Sequence, residues 1–589
     1  MIRERSELDA IASEIHVSGR PVALDLETYG TSEDTKVRKG EALDPWRGEI
    51  RLLSLQLPGL VPWLIDLRAT GYGLGELGKV LEATEVIGHN IKFDALWLAR
   101  KCNVHLVKMF DTCSASRILS NGDSKVRNRL AEVADRYLGI ELRKDQGRSD
   151  WGALMLLAEQ IQYAAQDVEH LHALKEKLDA ELKAAALMEV LRLEMNLLPV
   201  VIGMEFIGFC VDRKKLEELA AKTTQERDQV AQAVHNLLGI GDVNLNVPAH
   251  LLKALRGQGI SLKNMDSLSE CRHPIADAIF EYRKWQKLKE DVVFCIHAIR
   301  PDGRIHGEFD PLGTDTGRFS SSEPNMHYIT RRDLRTAFVA SVGNVLVIAD
   351  YSQLELRAAA YFSGDKGMLE AFIKGEDLHA KTASIVLGKS EKEITDDERQ
   401  LGKALDFGLL YGRSADGLVR YAKTKYGVEM TEKQAANTRA IFFKHYDGLA
   451  RWHAKARDEV ECTEVVEGRT ILGRRRLINP EASNWDCFQA KTNLVVQGAC
   501  ADGLKLALCE IRKRLPRGVW IIAIVHDEII AEAPEAKAEQ VKKLLAKIMV
   551  SVFETLFKKQ VPIEVDAKIC ESWGENEGVC DICATQIRG

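Results

Sequence analysis

Hydrophobic positions fall into two regimes along the chain. Up to about residue 185, short apolar runs at Pro21–Glu27, Glu49–Leu57 and Val61–Leu67 are separated by Gly and Pro and read as strands. Helix-period patterns follow at Ile91–Cys102, Thr112–Leu119 and Ala158–Leu174. From about 186 to 300 the pattern is helical, with amphipathic stretches at Ala184–Glu205, Arg213–Leu238 and Ile279–Ala298. Beyond 300 the two kinds mix. Val345–Tyr351 is an apolar strand, and Asp396–Leu410 and Lys433–Glu459 are helices. Trp520–Val525 and Glu528–Glu532 are two strands joined at His526–Asp527. Strands followed by helices, and then a mixture, predict a multidomain chain of α/β and α+β type. The boundary near 185–190 is not rich in Pro or Gly, so the two parts are expected to pack closely.

Composition narrows this little. The 589 residues are 46% hydrophobic and 29% charged, which excludes a disordered or fibrous chain. Twelve scattered cysteines suit a reducing compartment rather than a disulfide scaffold. The start carries charges of both signs with no apolar core behind them, unlike a signal peptide. No apolar run approaches the ~20 residues of a membrane span, so a cytoplasmic protein with no membrane partner is expected. The 81 Lys and Arg against 87 Asp and Glu give a net charge of −6, which hides any local basic surface.

In the first strand Asp25 and Glu27 stand at i and i+2, on one face. Two carboxylates side by side repel unless a cation lies between them. Asp94 opens a helical segment, and Tyr163 and Asp167 stand at i and i+4 on another helix. Four such acids can hold two Mg²⁺ or Mn²⁺ through oxygen, and Tyr163 can orient a water. With Phe110-Asp111-Thr112, these segments resemble the motifs of DEDD-type 3′→5′ exonucleases of the tyrosine subclass, which have an RNase H-like fold. The resemblance implies Asp25, Glu27, Asp94 and Asp167 as metal ligands and a single-stranded DNA 3′ end as substrate.

A second constellation lies downstream. The strand Val347–Tyr351 ends on Asp350, and His526-Asp527-Glu528 places acids at a turn between strands. Between them Arg399, Lys403, Phe407 and Tyr411 recur every four residues and form one helix stripe of two cations and then two aromatics. That stripe suits a triphosphate held by the cations, with a base stacked beyond it. These segments resemble motifs A, B and C of the family A DNA polymerases. Thr316-Gly317-Arg318, Pro324-Asn325, Asp377-Leu378-His379, Gly473-Arg474-Arg475-Arg476 and Gln497-Gly498 match as well.

The resemblance implies an RNase H-like exonuclease domain over 1–187 and a right-hand polymerase domain over 188–589. Its thumb is expected near 188–310, its palm and fingers near 311–589, and its fingers near 366–480. It implies two Mg²⁺ in each site, held in the polymerase by Asp350, Asp527 and the Tyr351 carbonyl, with Glu528 beside them. Arg399, Lys403 and His379 would meet the triphosphate. Phe407, Tyr411, Gln353 and Glu355 would line the dNTP pocket, with Glu355 blocking a 2′-OH. Arg318, Asn325, Asn493, Gln497, His526 and Arg474 would meet primer-template DNA. A proofreading polymerase of replication or repair is expected, as a monomer open to a processivity partner. The exonuclease pattern begins almost at residue 1, so a 5′-nuclease segment is not expected.

Two positions depart from the family pattern. Family members usually carry Asn at Asp406, and Arg at Gln489, four residues before Asn493. The first is expected to disturb packing around the stripe helix, and the second to weaken template or primer contacts. Cys580 and Cys583 form a CxxC, but with Cys570 they fall short of the four ligands of a structural zinc site. A nuclease with a silent second half, a single-subunit RNA polymerase and a non-catalytic DNA clamp are the rival readings. Asp350, Lys403 and Asp527 argue against the first, Glu355 argues against the second, and metal-dependent nucleotide turnover on a primed template separates the third.

Overall fold

The computed structural model describes residues 1–575, apart from positions 121–122, 124, 143–146, 148, 242, 266, 269–270, 272, 330–331, 463–465 and 479–481. The Cys580–Cys583 pair lies outside the described residues.

The first half is built on a five-stranded sheet in the order Trp63–Asp66, Glu49–Gln56, Val22–Tyr29, Glu85–Gly88, Lys108–Asp111. The first three strands are antiparallel and the last two join in parallel. Helices cover both faces, which is why the central strand is a near-continuous apolar run. Val22, Leu24 and Leu26 enter one core with the helices Leu8–Ser18 and Glu76–Ala83. Ala23 enters the other core with the helix Leu171–Ala184. Alternation therefore puts Asp25 and Glu27 on Ala23's side, where the helix Ala158–Glu169 packs.

The second half centres on a four-stranded antiparallel sheet in the order Trp520–Val525, Glu528–Pro534, Asn344–Tyr351, Val565–Cys570. The helices Asn484–Arg512 and Ala538–Leu556 pack together and contribute to its core. The helices Arg213–Leu238 and Pro274–Ala298 run together as an arm with a core of its own around Leu238, Leu251 and Ile279. Six helices between Lys366 and Glu461 make a separate layer.

The helix Met188–Ile207 joins the halves. Its Leu198 and Ile202 belong to the first core, while Leu197, Val201 and Met204 belong to the second. Arg117 reinforces the junction by gripping both carboxylate oxygens of Asp310 at 3.0 and 2.8 Å. The close packing expected at this boundary thus rests on a helix that is apolar on two sides.

Three helices differ from their sequence patterns. Ile91–Cys102 winds as an α-helix only to Trp97 and closes with a π turn over Leu98–Cys102. Ala158–Leu174 divides at His170. Lys433–Glu459 divides at Tyr446 into Glu432–His445 and Asp447–Glu461. At this last break, Asp365 accepts the backbone N–H groups of Gly448 and Leu449 at 2.8 and 3.2 Å. An acid from a distant segment caps the new helix start, and the Asp447-Gly448 dipeptide is the local signal that marks the break.

Arg474 is a correction. Expected to meet DNA, it lies buried, with its guanidinium bonded to Glu194 and, at 3.1 Å, to Asp502. Lys505 Nζ donates to the same Glu194 at 2.5 Å. Two cations and two acids thus form a closed internal network between the junction helix, the Val466–Ile478 hairpin and the helix Asn484–Arg512. Removing one member strands the others without solvent. Arg474→Ala should lower unfolding free energy by about 3–5 kcal/mol in urea denaturation. A loss of DNA affinity with stability unchanged would restore Arg474 as a surface contact.

Candidate active sites

The first site forms where the central strand of the N-terminal sheet meets the helix Ala158–Glu169. Oxygens of Asp25, Glu27 and Asp167 lie within 4.8 Å of one another, the one such group among the described residues. Asp94 is not within that triad but is buried beside it. Its Oδ1 accepts the N–H of Leu26, the residue between Asp25 and Glu27, at 3.0 Å. Asn90, just before the Asp94 helix, is held in the left-handed region at φ 61°, and its N–H donates to Asp111 at 2.7 Å. Asp111 also caps the helix Thr112–Leu119 through Cys113 N–H at 3.1 Å. Asp111 is thus scaffolding that sets the entry angle of the Asp94 helix. Tyr163 stands one turn before Asp167, its ring 6.3 Å from buried Trp151.

The electrostatics of this cluster run one way. Burial and then the charges of neighbouring acids push Asp25 and Glu27 well above the usual carboxylate range. Burial also raises Asp94 strongly, although its backbone hydrogen bonds oppose the rise. Asp167 is pushed up to about 7 by burial, against a hydrogen bond from Tyr163. The donor set is oxygen only, crowded and, among the described residues, without a basic partner, which fits a hard divalent cation.

The second site lies at the ends of the C-terminal sheet. Asp350 closes its strand opposite Glu528 on one neighbour and Asp566 on the other. Asp527 sits in the turn after His526, whose φ is 56°. Burial raises Asp527, while the nearby Arg318 guanidinium pulls it back. Tyr351 sends its hydroxyl away from the strand end, to the carbonyl of Met549 at 3.1 Å. Glu528, expected beside Asp350 and Asp527, is the strand partner of Asp350, and its buried carboxylate accepts from Trp573 Nε1 at 2.8 Å.

Four expected residues from four segments meet beside this sheet edge. Glu355 bonds to both Arg318 and the Tyr411 hydroxyl, and Gln497 Nε2 donates to that hydroxyl at 3.3 Å. Gln353, just before the Glu355 helix, has φ 51°. The stripe helix Asp396–Leu410 begins with a capping box between Thr395 and Glu398. Along it, Arg399 Nε donates to Asp377 at 2.6 Å, and Lys403 is buried with its ammonium 6.0 Å from the Tyr426 ring. Phe407 lies 5.8 Å from the ring of His379. Tyr411 falls just past the helix end. Asn493 Oδ1 is buried without a hydrogen bond, and Asn325 accepts the backbone N–H of His327 at 3.1 Å.

His327 is a residue that sequence reasoning missed. Its Nδ1 accepts the N–H of His526 at 3.4 Å, and the two rings meet edge to face at 5.2 Å. The Nε2 atoms of both are buried without hydrogen bonds to described residues. The one available signal was its place two residues after Asn325.

With the geometry in view, the comparisons with known proteins are consistent from end to end. A family model described as DNA polymerase family A matches residues 213–575, and one described as 3′-5′ exonuclease matches residues 1–183. The chain is 35% identical over 527 residues to DNA polymerase I of Aquifex aeolicus, covering 84% of this chain and 89% of that one. It is 33% identical over 473 residues to the thermostable DNA polymerase I of Thermus thermophilus, covering 75% of this chain and 53% of the relative. It thus spans nearly all of the first relative and about half of the second. The polymerase domain of Pol1 from M. smegmatis, solved with DNA primer-template and dNTP, superimposes with a TM-score of 0.81 at 25% identity. That alignment covers 96% of this chain and 98% of the other.

The raised carboxyls of the first site have a measurable consequence. Their unfolded values lie near 4, whereas Asp167 stays protonated up to about 7 in the folded chain. Across that window the folded state holds more protons, so metal-free stability should fall as pH rises from about 4 to about 7. Mg²⁺ or Mn²⁺ should therefore raise the melting temperature more at about pH 8 than at about pH 5, where protons already relieve the repulsion. Thermal unfolding in EDTA and in excess Mg²⁺ tests this. A metal-induced shift that Asp25→Ala, Glu27→Ala leaves intact at both pH values would refute it.

Proposed function

The chain belongs to DNA polymerase family A, with a 3′-5′ exonuclease domain ahead of its polymerase domain, and on that premise we propose how its two sites divide the work. The chain is a DNA-directed DNA polymerase that extends a primer 3′-OH with deoxynucleotides and removes mismatched 3′ ends, in replication and repair. One observation carries the reading: a single chain holds two separate carboxylate sites on two sheets. Among the described residues the first has no built-in counter-charge, whereas in the second Arg318 stands beside Asp527 and Glu355.

Asp350 and Asp527, with the Tyr351 carbonyl, would hold Mg²⁺ for nucleotidyl transfer, and Asp25, Glu27, Asp94 and Asp167 would hold it for hydrolysis. When bound, two divalent ions supply Lewis acidity to the attacking and leaving oxygens of a phosphodiester. The remaining work belongs to side chains. Arg399 and Lys403 bind the triphosphate, and the Lys403 ammonium is placed to hand a proton to the departing pyrophosphate. Arg399 exchanges Asp377 for phosphate on binding. Glu355, held in place by Arg318 and Tyr411, occupies the space a sugar 2′-OH would need, favouring deoxynucleotides. Phe407 packs on the sugar, Tyr411 stands at the template, and Gln353 borders the pocket.

Arg318, Gln497 and His526 face the primer end and Asn325 and Asn493 the duplex, testing shape where minor-groove acceptors are alike for every correct pair. In the first site the Tyr163 hydroxyl orients the attacking water beside Asp167. Two ions per site, with Mn²⁺ able to replace Mg²⁺, a monomeric state, and work in the cytoplasm are parts of the same proposal. Among the described residues no helix is long and apolar enough to cross a membrane.

A primer-extension gel with matched and mismatched 3′ ends separates the sites. Asp350→Ala should cut extension on the order of 100–1,000-fold while leaving Mg²⁺-dependent 3′-end removal intact. Asp25→Ala should do the reverse. Extension that persists in Asp350→Ala, or incorporation of ribonucleotides as readily as deoxynucleotides, would overturn the assignment.

A further inference from the structure

Asp406, the position where Asn was expected, lies inside the contact between the stripe helix Asp396–Leu410 and the helix Leu378–Leu387. The two helices touch through Gly402, where a Cβ would come within 2.0 Å of the carbonyl oxygen of His379. Only glycine permits this approach, and it brings the His379 ring onto the stripe helix. There Asp406 Oδ2 lies 2.6 Å from His379 Nδ1, and Asp406 Oδ1 accepts from Thr382 Oγ1 at 2.7 Å. Thr382 Oγ1 lies 2.9 Å from the Tyr446 hydroxyl. His379, Asp406, Thr382 and Tyr446 are all buried.

The donors can be assigned. A carboxylate only accepts, so His379 Nδ1 carries the hydrogen. Thr382 spends its one proton on Asp406, so Tyr446 donates to Thr382. The chain runs from Tyr446 through Thr382 and Asp406 to His379, and both carboxylate oxygens are used. An asparagine has one oxygen for these two donors. Its NH₂ group could be met only by Thr382 as an acceptor, with the Thr382 proton turned to Tyr446, and the imidazole would then keep a neutral acceptor in place of a charged one. At the far side of the anchored ring, Nε2 is enclosed and makes no hydrogen bond among the described residues. A buried polar atom left without a partner calls for an explanation. The same stripe helix carries Lys403 one turn before Asp406 and Arg399 one turn before that.

We propose that Asp406 is a positioning residue for nucleotide binding: it fixes the His379 ring so that Nε2 is the atom that meets the triphosphate of the incoming nucleotide. The proposal rests on the polymerase reading of this site. It makes the departure from Asn a functional pairing with His379 rather than a packing defect, and it extends the recognition apparatus back through Thr382 to Tyr446.

Steady-state extension with varied dNTP and saturating primer-template tests it. Asp406→Asn should raise KM for dNTP about tenfold, the size of one lost charge-assisted hydrogen bond, with kcat within about twofold. His379→Ala should raise KM by a similar factor, and adding Asp406→Asn to it should change KM no further. Thr382→Val, which removes the second donor on the carboxylate, should raise KM by a smaller factor and be silent in the His379→Ala background. That pair keeps the test in force should Asp406→Asn fail to fold. Equal effects with and without His379, or a fall in kcat and melting temperature at constant KM, would make Asp406 structural and overturn the proposal. A wild-type chain that incorporates no dNTP would instead refute the polymerase reading on which it rests.

Discussion

Charge removed from water needs a partner, and the interior of this protein meets that demand in three ways. Around Asp25, Glu27, Asp94 and Asp167 the described residues supply no cation, so burial and repulsion both push the carboxyls upward. The repulsion is sustained by the backbone. The Leu26 N–H donates to Asp94, Asn90 is fixed by Asp111, and the sheet holds Asp25 and Glu27 on one face. Around Asp527 a cation is built in, but it is shared: Arg318 serves Asp527 and Glu355 together. Around Glu194 the pairing is permanent, with Arg474 and Lys505 balanced against Glu194 and Asp502. The first arrangement is built for a cation from outside, the second for an exchange of partners, and the third for stability alone. Arg318 and Arg474 are both internal arginines with acid partners. They differ in that Arg318 borders a sheet edge and Arg474 is enclosed.

The second common element is the junction helix Met188–Ile207. It contributes to both main cores and, through Glu194, to the permanent network. The relative placement of the two halves is therefore fixed by core packing rather than by surface contact alone. Against this rigid frame, non-glycine residues adopt left-handed backbone conformations at Asn90, Gln353 and His526. Each stands within four residues of an acid or network member of a candidate site. Such conformations cost of order 1–3 kcal/mol and persist only where surrounding structure holds them.

Features set by neighbours in sequence were legible. Alternation put Asp25 and Glu27 together, four-residue spacing put Tyr163 beside Asp167, and the helices Arg213–Leu238, Thr112–Leu119 and Asp396–Leu410 stand at the limits their patterns predict. What depends on distant partners was not. The cap on the helix after Tyr446 comes from Asp365, and the burial of Arg474 comes from Glu194 and Asp502. A run of three arginines looks alike whether its first member faces DNA or an internal acid. His327 gave almost no signal, since its importance lies in a contact with the backbone of a residue far along the chain.

The shared arginine has an energetic consequence for the second site. Arg318, Glu355, Tyr411 and Gln497 satisfy one another when no nucleic acid is present. A primer terminus that met Arg318 at the nitrogen holding Glu355 would replace a charge-assisted bond already made, so the net gain from that contact would be small whatever its gross strength. The replacement is favourable only where the incoming acceptor reaches Arg318 without leaving the buried Glu355 short of a partner. A correctly shaped terminus and a distorted one would then differ by the cost of an unpaired buried charge rather than by a slightly longer hydrogen bond. An interior that satisfies its own charges in the resting state sets the reference against which every ligand is judged, and in this site that reference is Glu355.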